Sequence, residues 1–440
     1  MRIKKNLFLI ALSILSLNMM AQSMRMTAEE QLQLAKQQPE VMSSVYRAYP
    51  HPTGASSPVP DGYAPVFLSH YGRHGSRYLT EDKRYADLIN LFEKNALTDK
   101  GRDVLKRIRI CKEQAQGRGG DLTRTGELQH REIAERMYRN FPSLFTESNT
   151  LTAYSSTSRR CMMSMMAFCE RLKELNPSLI IPRDVCEKNM EFIAKPFPEQ
   201  SALIKDTKQA SYKAYASLKN KLQMTKSFMA RLFVRPEKIK DAYKWMEELF
   251  FLAQNMQDCG RPTELLDIFT PEELYSVWCI KNASNYLIDG DSPLSRGIPA
   301  MAAGTLLDHI INDADQALEE TKHSPKANNQ ETSTLPYALG KHTATLRFGH
   351  DTSLLRLLTR MKVKENCPAT SDLEQVALVW QDFSLAPMAA NLQIIFYQNA
   401  MGKTLVRLLL NENEVHLDLP ATNTAYYDWQ AVKNYWKQQK

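Results

Sequence analysis

The 440 residues contain no Cys-x-x-Cys pair, no histidine and cysteine at metal-ligand spacing, no internal repeat, and only one apolar run that approaches membrane length. Each absence narrows the choice. The seven cysteines (Cys111, Cys161, Cys169, Cys186, Cys259, Cys279 and Cys367) stand far apart, so a structural zinc site is not expected. The lack of a repeat argues against a repeat array. The single apolar run, Leu7 to Leu17, follows Arg2, Lys4 and Lys5 and precedes Ala21-Gln22-Ser23. It is too short to span a bilayer comfortably and has the layout of a cleaved secretory leader, residues 1–21. The mature chain is therefore expected to be periplasmic or secreted, without stable membrane insertion. In such an oxidising compartment some cysteines are expected to pair, and with seven of them one must stay free.

The remaining chain has ample material for a core, with 43% hydrophobic residues and a length that suggests two or three domains. Ala64 to Tyr71 reads as a short buried strand, followed by helical spacing from Asp82 to Leu97. From Thr123, the positions Leu128, Ile133, Ala134, Met137, Tyr138 and Phe141 lie on one helical face that Pro142 ends. A second strand, Leu151 to Ser155, leads through Ser156-Thr157-Ser158 into a helix carrying Met162, Met166, Cys169, Leu172 and Leu175. That methionine stripe is expected to be core packing and not a cofactor box. From Glu191 to Arg296 the pattern is helical with no convincing strand. Thr270-Pro271-Glu272-Glu273 marks one helix start, with threonine at the N-cap, proline at the first helical position and glutamate three residues on. A helix from Pro299 to about Glu320, a polar loop from Lys322 to Leu335 and a strand ending at Phe348 follow. Leu392 to Tyr397 and Leu405 to Leu410 read as two strands joined through Gly402.

The chemistry gathers after the first strand, in Ser69-His70-Tyr71-Gly72-Arg73-His74-Gly75-Ser76-Arg77-Tyr78. Guanidinium forks bind tetrahedral oxyanions through paired, charge-assisted hydrogen bonds. A neutral imidazole between two of them is a nucleophile that needs no metal, and a glycine beside it allows close backbone approach. On its own the stretch also fits a solvated basic turn. Two further segments matter. Ser156-Thr157-Ser158-Arg159-Arg160-Cys161 puts an arginine pair at a helix start, a place the helix dipole makes unfavourable unless an anion lies in front of it. Phe348-Gly349-His350-Asp351-Thr352 follows a predicted strand and opens a helix, where Asp351 could equally serve as an N-cap.

Together these segments resemble the histidine acid phosphatases and phytases. Arg73, His74, Gly75 and Arg77 match the signature Arg-His-Gly-x-Arg-x-Pro, and Leu79 stands where the signature has proline. The wider context Ser-His-Tyr-x-Arg-His-Gly-Ser-Arg-Tyr is most similar to the multiple inositol polyphosphate phosphatase branch. That branch commonly has His-Ala-Glu where this chain has His350-Asp351, the form found in many bacterial acid phosphatases and phytases. The resemblance implies that His74, and not His70, becomes phosphorylated, and that Arg73, Arg77, Arg160 and His350 bind the phosphoryl group. It implies that Asp351 protonates the leaving alcohol and then activates water, with no cofactor and no metal. It implies an α/β fold with a twisted, mainly parallel sheet, helices on both faces, and an inserted α-helical cap. Residues 22–190 and 297–440 would form the core and 191–296 the cap.

Charge bears on the substrate. Between Ser201 and Lys244 lie eleven Lys or Arg against three acidic residues, a local net charge of +8 in a chain whose total is +7. A cap this basic favours a small, polyanionic phosphorylated substrate such as an inositol polyphosphate over a singly phosphorylated ester; no nucleic-acid partner is expected. Lysines on the outer faces of long helices are the plainer alternative.

Overall fold

The computed structural model describes residues 26–52, 56–147, 149–322, 341–422 and 425–439. The expected leader, residues 1–21, and the polar loop beyond Lys322 lie outside these residues. Among the described residues eight strands form one sheet: β1 (Tyr63–Arg73), β2 (Asn149–Ser155), β3 (Arg183–Asp184), β4 (Lys341–Gly349), β5 (Asn391–Asn399), β6 (Thr404–Leu410), β7 (Asn413–Val415) and β8 (Tyr427–Asp428). Their order is β3-β2-β4-β1-β5-β6-β7, with β8 also on β6. β3, β2, β4 and β1 run parallel, while β5, β6 and β7 extend the sheet antiparallel from β1. The two ends of the chain thus meet at the centre, where β1 lies between β4 and β5.

Twelve helices of eight or more residues surround the sheet among the described residues: α1 (Ala28–Gln37), α2 (Lys83–Glu93), α3 (Asp99–Ala115), α4 (Arg124–Asn140), α5 (Arg159–Leu175), α6 (Ala210–Leu222), α7 (Thr225–Leu232), α8 (Ala242–Asn255), α9 (Pro271–Asp289), α10 (Gly304–Lys322), α11 (Asp351–Met361) and α12 (Trp429–Gln438). Side-chain alternation along β1 explains the two layers on the sheet. Phe67 and Tyr71 face Leu306, Ile310, Leu354, Leu358 and Trp436 of α10, α11 and α12. Leu68 faces the other way, onto Ile133 and Met137 of α4 and Phe168 and Leu172 of α5. A third apolar cluster lies off the sheet and joins α2 and α3 to α7, α8 and α9 through Phe92, Ile108, Phe228, Leu249 and Trp278.

Most sequence expectations hold at this level, and the departures have local causes. The expected methionine stripe is not core: Met166 is 47% exposed and Met162 half-buried, and the buried face of α5 is instead Cys161, Met165, Phe168, Cys169 and Leu172. Residues 191–296 carry no strand beyond a single bridge from Phe233 to Leu97. The Thr270 capping box is present, with Thr270 Oγ1 accepting from Glu273 N–H at 3.2 Å and the glutamate accepting from Thr270 N–H at 3.0 Å. The expected helix from Pro299 to Glu320 is broken: a short helix, Ile298–Ala302, ends at Ala303, and α10 restarts at Gly304, a poor helix former. The expected cysteine pairing is absent, as all seven thiols are free. Cys161 and Cys169 share α5, and Cys111 packs against Met256.

Candidate active site

The carboxyl ends of adjacent parallel strands, with helices starting beyond them, form the natural binding crevice of an open α/β sheet. Here β2, β4 and β1 end side by side. Ser155 pairs with Phe348, and Arg73 pairs with Gly349. The backbone continues the match past the strands: Ser156 N–H donates to Phe348 O at 2.9 Å and His74 N–H to Gly349 O at 3.0 Å. The three segments singled out in the sequence therefore converge, although residues 73, 160 and 351 are far apart in the chain. α5 and α11 start at this edge and direct their N-termini toward it.

His74 is 2% exposed. Its Nδ1 lies 2.9 Å from Gly75 O, and a carbonyl only accepts, so Nδ1 carries the proton and Nε2 keeps its lone pair. Burial, then Arg73, Arg77, Arg160 and His350, push its pKa well below 6.5. The imidazole is thus neutral across the physiological range, as a nucleophile must be. Its ring stands 5.7 Å, edge-on, from that of His350.

Arg73 is fully buried. One guanidinium nitrogen donates to Val45 O and to Ala386 O (2.7 Å), and the other pairs with Asp351 Oδ2 at 3.2 Å. Arg77 lies over the ring of Tyr46, 5.1 Å from its centroid, and donates to the Tyr46 hydroxyl at 3.0 Å. Arg160 reaches inward, its Nη2 3.5 Å from His350 Nδ1. Its neighbour Arg159 turns out to solvent and pairs with Asp121 at 3.1 Å. Only the second of the arginine pair joins the cluster. His350 Nε2 lies 3.2 Å from Ser156 Oγ. Burial, followed by the field of Arg160, lowers its pKa to about 4.

Asp351 is not an N-cap; His350 holds that position and Asp351 is the first residue of α11. Burial pushes its pKa up, but Arg73, His350 and Arg77 push harder, and the carboxyl is held below its ordinary range. It is ionised until something anionic offsets those cations. His70, the other histidine of the signature stretch, points to the opposite face of β1, against Phe168 and Phe348 at 5.3 Å each, with its pKa lowered to about 3 by burial. It is a core residue beneath the site.

Gly75 has a use the sequence did not suggest. A side chain there would come 2.5 Å from Gly126 O, and one on Gly126 would come 2.2 Å from Ser76 O. The signature turn is seated directly on the first turn of α4. Gly126→Ala is expected to cost about 1–3 kcal/mol through overpacking and to displace the turn, lowering both the thermal midpoint and activity. An unchanged midpoint would mean that the turn is not seated there.

The sequence reading missed Tyr46, Ser156, Ser164 and Asp258. Ser164, whose hydroxyl accepts the Gly75 N–H at 3.0 Å, had a usable signal, since it stands one helical turn after Arg160 on the same face. Ser156 stands in the serine-rich segment already singled out but was given no role of its own; Tyr46 and Asp258 had no signal.

Residues 72–411 match the profile of the histidine phosphatase superfamily (branch 2). Multiple inositol polyphosphate phosphatase 1 of Gallus gallus is 24% identical over 409 residues, covering 88% of this chain and 84% of that protein. The crystal structure of Bifidobacterium longum multiple inositol polyphosphate phosphatase in complex with inositol hexasulfate superposes with a TM-score of 0.70 at 16% identity, covering 90% of this chain and 97% of that one. The phytase from D. castellii superposes at 0.61 with 13% identity, covering 91% and 85%.

Proposed function

We propose, from the premise that this chain belongs to the histidine phosphatase superfamily (branch 2), that it hydrolyses inositol polyphosphates through a phosphorylated His74. The observation that carries this reading is the neutral, buried imidazole of His74 within the joint field of Arg73, Arg77, Arg160 and His350. His74 Nε2 attacks phosphorus and the P–O bond to the alcohol breaks. Asp351 gives the departing oxygen its proton, then takes one from the water that cleaves the phosphohistidine, so the carboxyl is restored with each turnover. A bound phosphate dianion offsets Arg73 and Arg77, which raises the Asp351 pKa toward the protonated state the first step needs. The enzyme is accordingly expected to work best at mildly acid pH.

We further propose that residues 191–296 act as a cap, in company with α2 and α3, which share its apolar cluster. The N-terminal basic and apolar run supports export; sequencing the N-terminus of the mature protein would test it, and an intact Met1 would refute it. Because the three arginines supply the charge neutralisation a metal would otherwise give, EDTA is expected to leave the rate unchanged. Loss of activity in EDTA, restored by a divalent ion, would contradict the mechanism.

The substrate class is supported by the names of the relatives and by the basic segment from Ser201 to Lys244. The test is the ratio of kcat/KM for phytate to that for p-nitrophenyl phosphate. It is expected to fall steeply with added salt, and again when several of those lysines become glutamine. One observation favours a second reading, a general acid phosphatase: nine of the eleven basic residues are exposed, and Lys221 and Arg231 pair with Glu374 and Glu273. A ratio indifferent to both salt and substitution would select that reading.

A further inference from the structure

Ser76 lies between the glycine and the second arginine of the signature, and the phosphoryl chemistry gives it no task. Its hydroxyl donates to Asp258 Oδ1 at 2.6 Å and accepts from Gln129 Nε2 at 3.0 Å, while its N–H donates to Gln129 Oε1 at 2.9 Å. Asp258 Oδ2 in turn accepts from Asn255 Nδ2 at 2.9 Å, and the same amide donates to Arg77 O at 2.7 Å. Asp258, which follows α8 and has no exposure, thus reaches the turn that carries His74 and Arg77. A buried carboxylate is costly unless its charge is answered. The cations that answer this one are Arg77 and Arg73, two of the groups proposed to hold the phosphoryl group.

We propose that Asp258 is a positioning residue for the phosphate pocket: it locks the signature turn through Ser76, and the negative charge it holds behind Arg73 and Arg77 sets how strongly they attract an oxyanion. The inference rests on reading that pocket as a phosphate site. An oxyanion and an ionised Asp258 compete for the same two guanidinium charges, so binding the first favours a proton on the second. Burial already pushes the Asp258 pKa up to about 7, against the hydrogen bonds of Ser76 and Asn255 and the charges of Arg77 and Arg73. The groups that face it are Ser76, Arg73 and Arg77 on the signature turn, Gln129 on α4, and Asn255 and Cys259 on its own segment. Tyr46 beside Arg77 and Asp351 beside Arg73 complete the set. His74, His350 and Asp351 all have lowered pKa values in the free site, which leaves Asp258 to titrate near neutrality.

The probe is inositol hexasulfate, whose sulfate esters keep a fixed charge across this pH range, unlike phosphate. Its binding is followed by calorimetry in buffers of different ionisation enthalpy, with the mature protein. The wild type is expected to take up a fraction of a proton on binding near neutral pH, and to lose roughly threefold to tenfold in affinity between about pH 6 and about pH 8. Asp258→Asn keeps the shape and an acceptor for Ser76, and is expected to abolish the uptake and the pH slope centred near neutrality, leaving only the uptake by Asp351 at lower pH, and to bind at the higher pH at least as tightly as the wild type does at the lower. Ser76→Ala keeps the carboxylate but removes a hydrogen bond to its charged form, so its pH midpoint is expected to move up; it decides the matter if Asp258→Asn does not fold. Asp258→Asn with the wild-type proton uptake and pH slope, or Ser76→Ala with an unmoved midpoint, would overturn the inference. A wild type that fails to bind hexasulfate at any pH would overturn the phosphate-site reading itself, a different result.

Discussion

Replacing His74 with alanine is expected to abolish turnover of every phosphate monoester, by at least about 10⁴-fold in kcat, while leaving thermal unfolding close to that of the wild type. The size of the effect follows from the surroundings. Among the described residues no other nucleophile takes part in the cluster with an equivalent geometry: His350 contacts Ser156 and Arg160, and Cys161 is a buried thiol, with its pKa raised to about 11 by burial, donating to Gly349 O at 3.1 Å. The fold should tolerate the change, because the side chain of His74 has one hydrogen bond, to the adjacent residue, and no place in the three apolar clusters. Phosphate release and a melting curve on the same preparation check both halves. Residual activity above about one per cent would place the nucleophile elsewhere.

Asp351→Asn should have the second largest effect, and one that depends on the leaving group. Protonation by a positioned acid is worth about 10²–10⁴-fold when the departing oxygen is strongly basic and much less when it is not. An inositol hydroxyl needs the proton; p-nitrophenolate scarcely does. The variant is therefore expected to lose far more activity on phytate than on p-nitrophenyl phosphate. The pH dependence supplies an independent check. Arg73, His350 and Arg77 hold the carboxyl low in the free enzyme, so the protonated donor exists mainly once a bound dianion offsets them. The alkaline limb of kcat for phytate should then report Asp351 in the complex and vanish in Asp351→Asn. Equal losses on the two substrates would remove Asp351 from the donor's role.

How much of this was legible beforehand varies with the kind of interaction. β1, β2, β4, β5 and β6 were readable because buried strands flanked by turn residues leave a local pattern. The helix Asp99–Ala115 was not, although Val104, Ile108, Cys111 and Ala115 share a face. Nine charged residues and Gly101 mask it, and that glycine is there because a side chain would come 2.1 Å from Leu232 O across the interface with α7. In the site, Arg73, His74, Arg77, Arg160, His350 and Asp351 were readable through motif resemblance, and the structure gathers all six. Their supports were not. Tyr46 stands in a short turn near the N-terminus and Asp258 follows α8, and nothing local tells either residue that it will meet the signature turn. Such pairings depend on long-range packing, to which chain spacing is blind. The choice between Arg159 and Arg160 needed the family pattern, since both open the same helix and only rotation about its axis separates solvent from site.

The central claim is a covalent phosphohistidine on His74, and rapid-quench labelling with a phosphoryl-labelled substrate addresses it directly. Label approaching one phosphoryl group per chain is expected at early times, stable in base and labile in acid, on the peptide containing His74, and absent from His74→Ala. Label that survives acid, that maps to another residue, or that never forms while product still accumulates would contradict it.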